Sequence, residues 1–200
     1  MYSFGQNGLD FFSEEIDEAY VGDYIQTTYN GISGDADRTV EAWIKTDGLF
    51  HPADGGSQGV IVDWGTVGTG SRITFIVLFD NALRIEIQGS GLSGTIPVND
   101  GEWHHVAVVY SGEDENPYKL YVDGVLDVEG DLVTTINTGT SVDMRMGARI
   151  DGNKYFFGAI DEVRVWDVAL TAAELIENMN IEFCAPQENL KAYYKLNEGV

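Results

Sequence analysis

The chain is short of cysteine, of histidine and of basic residues. Cys184 is the only cysteine among 200 residues, so no disulfide can close within the chain. Cys184 is read as a bare buried thiol, the alternative being a bond to a cysteine outside this sequence. Lys and Arg number 11 against 33 Asp and Glu, a net charge of −22. A field of that sign repels nucleic-acid phosphates and anionic membrane surfaces, which removes both as partners. No stretch approaches the ~18 consecutive apolar residues of a membrane span, so no membrane insertion is expected. The opening MYSFGQNG lacks a basic segment followed by an apolar one, the mark of a signal peptide. The final KLNEGV reads as the edge of a fragment of a longer protein. Gly-x-Ser-x-Gly, P-loop and dinucleotide fingerprints are absent from the sequence.

What the chain has is glycine, acid and β-formers. Asn-Gly or Asp-Gly pairs recur at 7, 30, 47, 54, 100, 123 and 151. Such pairs adopt positive φ and mark hairpins or tight loops. Between them lie short runs rich in Val, Ile, Tyr, Phe and Trp. RTVEAWIK (38–45), GVIVDWG (59–65), RITFIVLF (72–79), ALRIEIQ (82–88), WHHVAVVY (103–110), YKLYVD (118–123), VDMRMGA (142–148) and EVRVW (162–166) read as strands. KLYVDGVLDV is a hairpin turning at Asp123-Gly124. RITFIVLF is apolar on both faces, with Ile73, Phe75, Val77 and Phe79 on one and Ile76 and Leu78 on the other. ALRIEIQ alternates strictly, Leu83, Ile85 and Ile87 inward and Arg84, Glu86 and Gln88 toward water.

One helix is expected. In LTAAELIENMN, Ala172, Leu175, Ile176 and Met179 share a helical face, and Thr171 with Glu174 forms a capping box. So small a helix in so much sheet is expected to cover a sheet edge. The pattern is an all-β, jelly-roll sandwich of two antiparallel sheets with one short C-terminal helix. One domain is expected over 1–183, followed by a C-terminal strand or connector over 184–200.

Two ordered series carry a family resemblance. DGEWHHVAVVY (100–110), YKLYVDGVLDVEG (118–130) and FFGAIDEVRVWDVALTAAEL (156–175) resemble the laminin-G-like modules of bacterial secreted proteins. These modules belong to the concanavalin A-like lectin/glucanase superfamily, whose pattern the pentraxins share. DYIQT and DRTVEAWIKT resemble the family's early strands. The resemblance implies a secreted or cell-surface location, attachment to a larger multidomain chain, and frequent calcium binding.

The candidate chemistry divides into histidines, paired acids, calcium ligands and loop aromatics. His104 and His105 are consecutive in a strand and point to opposite faces, so they cannot share one metal or substrate. His51 lies in the loop GLFHPADGG with no evident partner. Trp103 is expected to pack in the sandwich with a histidine hydrogen-bonded nearby. Glycosidases of the superfamily carry E-x-D-x-x-E on a strand. EEIDEAY has Glu15 and Asp17 but Tyr20 in the third place, and AIDEVRVW has Arg164 after Asp161 and Glu162. No catalytic residue is therefore expected.

Calcium suits hard oxygen donors, ~6–8 of them, in acidic glycine-rich loops. The resemblance implies a structural calcium held by Asp161 with backbone carbonyls near Gly5–Gly8 and in the 31–37 loop. Asp35 and Asp37 add carboxylates there. The acidic double-calcium loop of pentraxins is not matched, since GTGSR (68–72) has no acid and only Asp151 and Asn153 remain in GARIDGNKYFFG.

A ligand site is expected at Arg149, Asp151, Asn153 and Tyr155, which alternate along one side if their loop is extended, and at Trp64, with Trp64 and Phe156 as core rim the alternative reading. Tyr155 is the ring expected to be most exposed; Phe50 and Phe156 lie beside similar turns. The expected function is non-catalytic carbohydrate binding, with a protein- or peptide-binding adhesion module as the alternative.

Overall fold

The computed structural model describes residues 8–16, 19–48, 58–80 and 82–197. Two antiparallel sheets lie face to face. The first runs β1 (Leu9–Phe11), β14 (Gly158–Trp166), β5 (Arg38–Lys45), β10 (Trp103–Tyr110), β11 (Tyr118–Val122) and β12 (Val125–Gly130), with β15 (Leu190–Tyr194) also paired to β14. The second runs β4 (Ile25–Gln26), β13 (Arg145–Met146), β6 (Gln58–Gly65), β7 (Arg72–Leu78), β8 (Ala82–Ile87) and β9 (Ser90–Pro97). A small ribbon pairs β2 (Ser13–Ile16) with β3 (Ala19–Gly22).

The period-two pattern decides which residues meet between the sheets. Val40, Ala42 and Ile44 of β5, Val106 and Val108 of β10, and Ile160, Val163 and Val165 of β14 face inward from the first sheet. Val62, Trp64, Ile73, Phe75, Val77, Leu83, Ile85 and Ile87 meet them from the second. Each buried Val, Ile, Leu or Phe among them contributes roughly 1.5–3 kcal/mol through burial. The Asp123-Gly124 hairpin is present, both residues at positive φ (51° and 77°). Phe79 is a difference: the strand ends at Leu78, and Phe79 sits exposed in the following turn instead of facing the core.

Strand β9 escapes the sequence pattern because its residues, SGLSGTIP, carry glycine, serine and proline. It is an edge strand, and its backbone is held by a side chain from the opposite sheet. The short β1 to β3 likewise lie outside the expected strands, whereas β4 falls within DYIQT (23–27). Segment 142–148 is a strand only at Arg145–Met146. The tail folds back, and Leu190–Tyr194 pairs with β14, while Cys184 before it is exposed, not buried as expected.

Helix α1 (Ala172–Asn178) begins at the expected capping box. Glu174 N–H donates to Thr171 Oγ1 at 3.3 Å, and Thr171 N–H donates to the Glu174 carboxylate at 2.7 Å. It covers a face of the first sheet, not an edge. Leu175 and Leu170 close over Ala107, Val109, Tyr121 and Trp166. Ile176 is half exposed, so the buried stripe is narrower than its spacing implied.

Candidate functional site

Charged side chains emerge where alternation turns the second sheet's strands outward. Asp63 on β6 pairs in register with Thr74 on β7 and Arg145 on β13, and Thr74 pairs with Glu86 on β8. These four therefore share the outer face. Arg84 lies on the same face, two residues from Glu86. Arg72 at the start of β7 lies two residues from Thr74.

Asp63 and Arg72 form a buried floor. Thr74 Oγ1 donates to Asp63 Oδ1 at 2.5 Å, and the Ile150 N–H donates to Oδ2 at 2.7 Å. Arg72 Nε stands 3.9 Å from Asp63 and makes no hydrogen bond. Burial pushes the Asp63 carboxyl up to about 7, against the pull of the Ile150 and Thr74 bonds and of the Arg72 and Arg149 charges. Ionising a carboxyl out of water costs more here than those partners return.

The 149–155 segment lies over this floor. Asp151 is gripped from two sides: Arg149 Nε and Nη2 approach its oxygens at 2.9 and 2.8 Å, and Arg72 Nη1 at 3.3 Å. Burial opposes ionisation of Asp151, but the bond and charge of Arg149, with Arg72 behind it, outweigh that and hold the carboxyl below its ordinary value. Arg145 Nη1 donates to the Arg149 carbonyl at 3.1 Å, a further tie to the sheet. Arg149 and Asp151 keep part of their surface in water, so the pair offers donors and an acceptor side by side. Arg84 and Glu86, 3.5 Å apart, repeat that offer further along the face.

The expected ligand residues are thus brought together only in part. Arg149 and Asp151 meet as described. The segment is a turn, not an extended strand: Arg149 N–H donates to the Asn153 carbonyl and Gly152 N–H to the Arg149 carbonyl, both at 2.9 Å. Asn153 turns its Oδ1 inward, buried and without a hydrogen bond. Tyr155, expected exposed, is 6% accessible. Its ring lies against Gly22, where a β-carbon would stand 2.4 Å from Tyr155 Cγ, and its hydroxyl donates to the Gly152 carbonyl. Trp64 is buried outright, its indole laid on Gly31 and its Nε1–H directed to the Ile32 carbonyl at 3.3 Å. Neither ring can stack on a ligand; both belong to the packing, as does the buried Phe156. Phe50 and His51 lie outside the described residues. Asp63, Arg72 and Thr74 were missed because isolated polar residues in apolar strands carry no motif. Arg84 and Glu86 were visible in the strict alternation of β8.

The first sheet's outer face holds a second polar array. His105 Nε2 meets Glu41 Oε2 at 3.1 Å, and Trp166 Nε1–H donates to Glu41 Oε1 at 2.9 Å. Arg164 stands 3.5 Å from Glu41, binds Glu162, and donates to the carbonyls of Asn178 (2.9 Å) and Ile181 (2.6 Å). Burial resists the Glu41 charge, but His105, Arg164 and Trp166 together hold its carboxyl below the usual range. The cluster lies under α1 and the segment after it, so it braces the fold. His104 faces the other way, its ring nitrogens 2.8 Å from Asp123 and 3.2 Å from Asp100. The two histidines therefore serve separate partners, as adjacent strand positions require.

The proposed calcium ligands also divide. Asp161 pairs with Trp43 of β5, and the chain then bulges so that Arg164 follows opposite Glu41, with Glu162 at φ 51°. Gly8 precedes Leu9, whose partner is Ile160, so Gly8 lies beside Asp161. Asp161 Oδ1 accepts the Glu162 N–H at 2.8 Å. Burial, with the Glu162 and Glu182 charges adding, pushes its carboxyl up to about 6 despite the Glu162 N–H and Arg164. A cation beside Asp161 would relieve that unfavourable burial, with a backbone oxygen near Gly8 on the neighbouring strand. Asp35 and Asp37 do not join them. Asp37 lies six residues along β5 from Trp43, roughly 20 Å, and its Oδ1 accepts the Gly112 N–H. Gly5 lies outside the described residues. Among the described residues no three His, Cys, Asp or Glu side chains converge on a metal position.

Residues 18–176 match the laminin-G family model Laminin_G_3 of the concanavalin A-like lectin/glucanases superfamily. The chain belongs to that family. It is 23% identical over 137 residues to the human neuronal pentraxin receptor, covering 64% of this chain and 27% of that protein. It thus spans about a quarter of that curated relative. Among solved structures, a Bacteroides ovatus protein with a provisional carbohydrate-binding designation superposes with a TM-score of 0.67 at 22% identity, over 96% of this chain and 52% of that one. The CBM40 module of a Ruminococcus gnavus IT-sialidase superposes at 0.58 and 19% identity, over 78% and 95%. At such identities the likeness is one of fold. No helix among the described residues is long and apolar enough to cross a membrane.

Proposed function

We propose that the chain is a non-catalytic carbohydrate-binding module of a larger secreted or cell-surface protein, gripping its ligand on the outer face of the second sheet. The observation that carries this reading is the partly exposed Arg149–Asp151 pair fixed over the buried Asp63–Arg72 floor. Sugar hydroxyls both donate and accept, and a charged pair held rigid at the surface answers both needs at little ordering cost. The solved structures similar in fold include carbohydrate-binding ones, which supports the reading.

Catalysis is disfavoured by the state of the acids. Glycoside hydrolysis generally needs a protonated carboxyl across the bond from an ionised one. The surface acid Asp151 is held ionised by Arg149, and the two acids with raised values, Asp63 and Asp161, are both buried. Calcium, held by Asp161 with backbone oxygens near Gly8, would stiffen the first sheet's bulge and supply charge compensation there.

A glycan array with and without calcium tests the proposal. Binding to at least one glycan, lost in Arg149→Gln, is expected. Cleavage of a polysaccharide by the isolated chain would overturn it. A second reading has its own observation: Val125 (60%), Leu126 (44%) and Ile176 (50%) are exposed apolar side chains near the Asp123-Gly124 turn, with Ile176 lying against Gly124. That patch favours a protein or peptide partner, and binding to protein ligands alone would establish it.

A further inference from the structure

We infer that the ligand is an acidic glycan whose carboxylate docks on Arg84. This rests on the carbohydrate reading and deepens it. Arg84 on β8 pairs with Ser93 of β9, and its guanidinium lies flat on Gly91. A β-carbon at Gly91 would stand 2.4 Å from Arg84 Nη2 and 2.6 Å from Cζ. The absence of a side chain at Gly91 is what lets the guanidinium lie down on the sheet.

The group is also held in plane. Nη1 donates to Ser93 Oγ at 2.9 Å, and Nε stands 3.5 Å from Glu86. Nη2 makes no hydrogen bond to the protein among the described residues, and a quarter of the side chain remains in water. A planar donor anchored through Nη1, facing Glu86 through Nε and keeping Nη2 free can direct a charge-assisted bond to one carboxylate oxygen.

Charge distribution points the same way. The chain carries −22, yet Arg72, Arg84, Arg145 and Arg149 all gather on this one face, while Arg38 and Arg164 are buried elsewhere. Against them stand Glu86, Asp151 and the buried Asp63. A face selected only for neutral hydroxyls would not need so many of the chain's few cations. In so acidic a molecule an anionic ligand would be repelled everywhere else, so this face also sets where it lands.

Two natural sources share that carboxylate, uronic acids and sialic acids. Titration calorimetry with trigalacturonic acid and its methyl ester, and with 3′-sialyllactose and lactose, separates them. At least one acid form should bind about tenfold or more tightly than its neutral counterpart, the difference a charge-assisted bond supplies. Arg84→Gln should erase that ratio, weakening the acid form far more than the neutral one while the chain stays folded. Gly91→Ala should weaken the acid form too, because it lifts the guanidinium while keeping its charge. Equal binding of acid and neutral forms, unaltered in Arg84→Gln, would overturn the inference and leave the carbohydrate reading standing. An acid preference that survives Arg84→Gln but not Arg149→Gln would also overturn it. Binding to neither form here, with no glycan bound on the array, would remove both.

Discussion

Asp127 occupies the space that a side chain at Gly94 would need. A β-carbon there would stand 1.8 Å from Asp127 Oδ2. Asp127 belongs to β12, the edge of the first sheet; Gly94 belongs to β9, the edge of the second. Across the gap the Asp127 carboxylate accepts the Thr95 N–H and hydroxyl at 2.9 and 3.0 Å and the Ile96 N–H at 3.2 Å. One acid thus satisfies edge amides that would otherwise template pairing with another chain. Asp127→Ala should cost ~1–3 kcal/mol, the scale of bonds to a charged group, and raise the tendency to associate. Chemical denaturation and light scattering check both, and an unchanged denaturation midpoint would refute the clamp.

Asp63 should give the stability a pH dependence of definite sign. Its carboxyl rises on folding from 3.8 to about 7, so the folded chain binds that proton more tightly than the unfolded one. The resulting stabilisation is full below pH ~4 and is lost as pH rises to about 7. Asp63→Asn lacks this term. The wild-type minus variant difference in melting temperature should therefore shrink or reverse between pH 4 and 7 and level off above. A difference flat across that range would rule out the raised value.

Tyr155 should behave as a core residue. Replacement by Ala removes a buried ring beside Gly22 and should destabilise by ~3–5 kcal/mol, the range for large aromatic truncations. Tyr155→Phe loses only the bond to the Gly152 carbonyl, ~1 kcal/mol, and should keep full glycan binding. A folded Tyr155→Ala variant of wild-type stability would contradict the burial.

The two histidines should separate by stability. His105→Gln disturbs a buried contact with Glu41 and should cost ~1–3 kcal/mol. His104→Gln, at the half-exposed hairpin between Asp123 and Asp100, should cost under ~1 kcal/mol. Urea midpoints decide, and equal losses would mean that the Glu41 array does not brace the sheet.

Calcium should raise the melting temperature, since an ion that binds the folded state stabilises it by mass action. Chelator should reverse the gain, and Asp161→Asn should abolish the response while Asp35→Asn preserves it. A melt indifferent to calcium would end the proposal for Asp161.

Much of this was legible in sequence because it is local. The strands at 38–45 and 103–110 match their expected ends, since a period of two with β-branched residues and flanking Asx-Gly turns needs no distant partner to be recognised. The Thr171–Glu174 cap and the Asp123-Gly124 turn are likewise closed within a few residues. The opposite orientations of His104 and His105 follow from strand geometry alone. Strand β9 was not legible, because its glycine and serine residues have no intrinsic preference for sheet and its pairing comes from β8 and Asp127.

The candidate site was decided mostly by tertiary structure. By itself the sequence determined a two-sheet sandwich, the wet face of β8 with Arg84 and Glu86, and the acidic surplus. The three-dimensional fold alone placed Trp64 and Tyr155 inside, because whether a ring near a turn packs or protrudes depends on what lies opposite it, here Gly31 and Gly22. It alone set Asp161 beside Gly8 and some 20 Å from Asp37, and gathered four arginines from β7, β8, β13 and the turn after it. Charge and hydrogen-bond partners are set by distance through space, and the order of residues along the chain carries little of that distance.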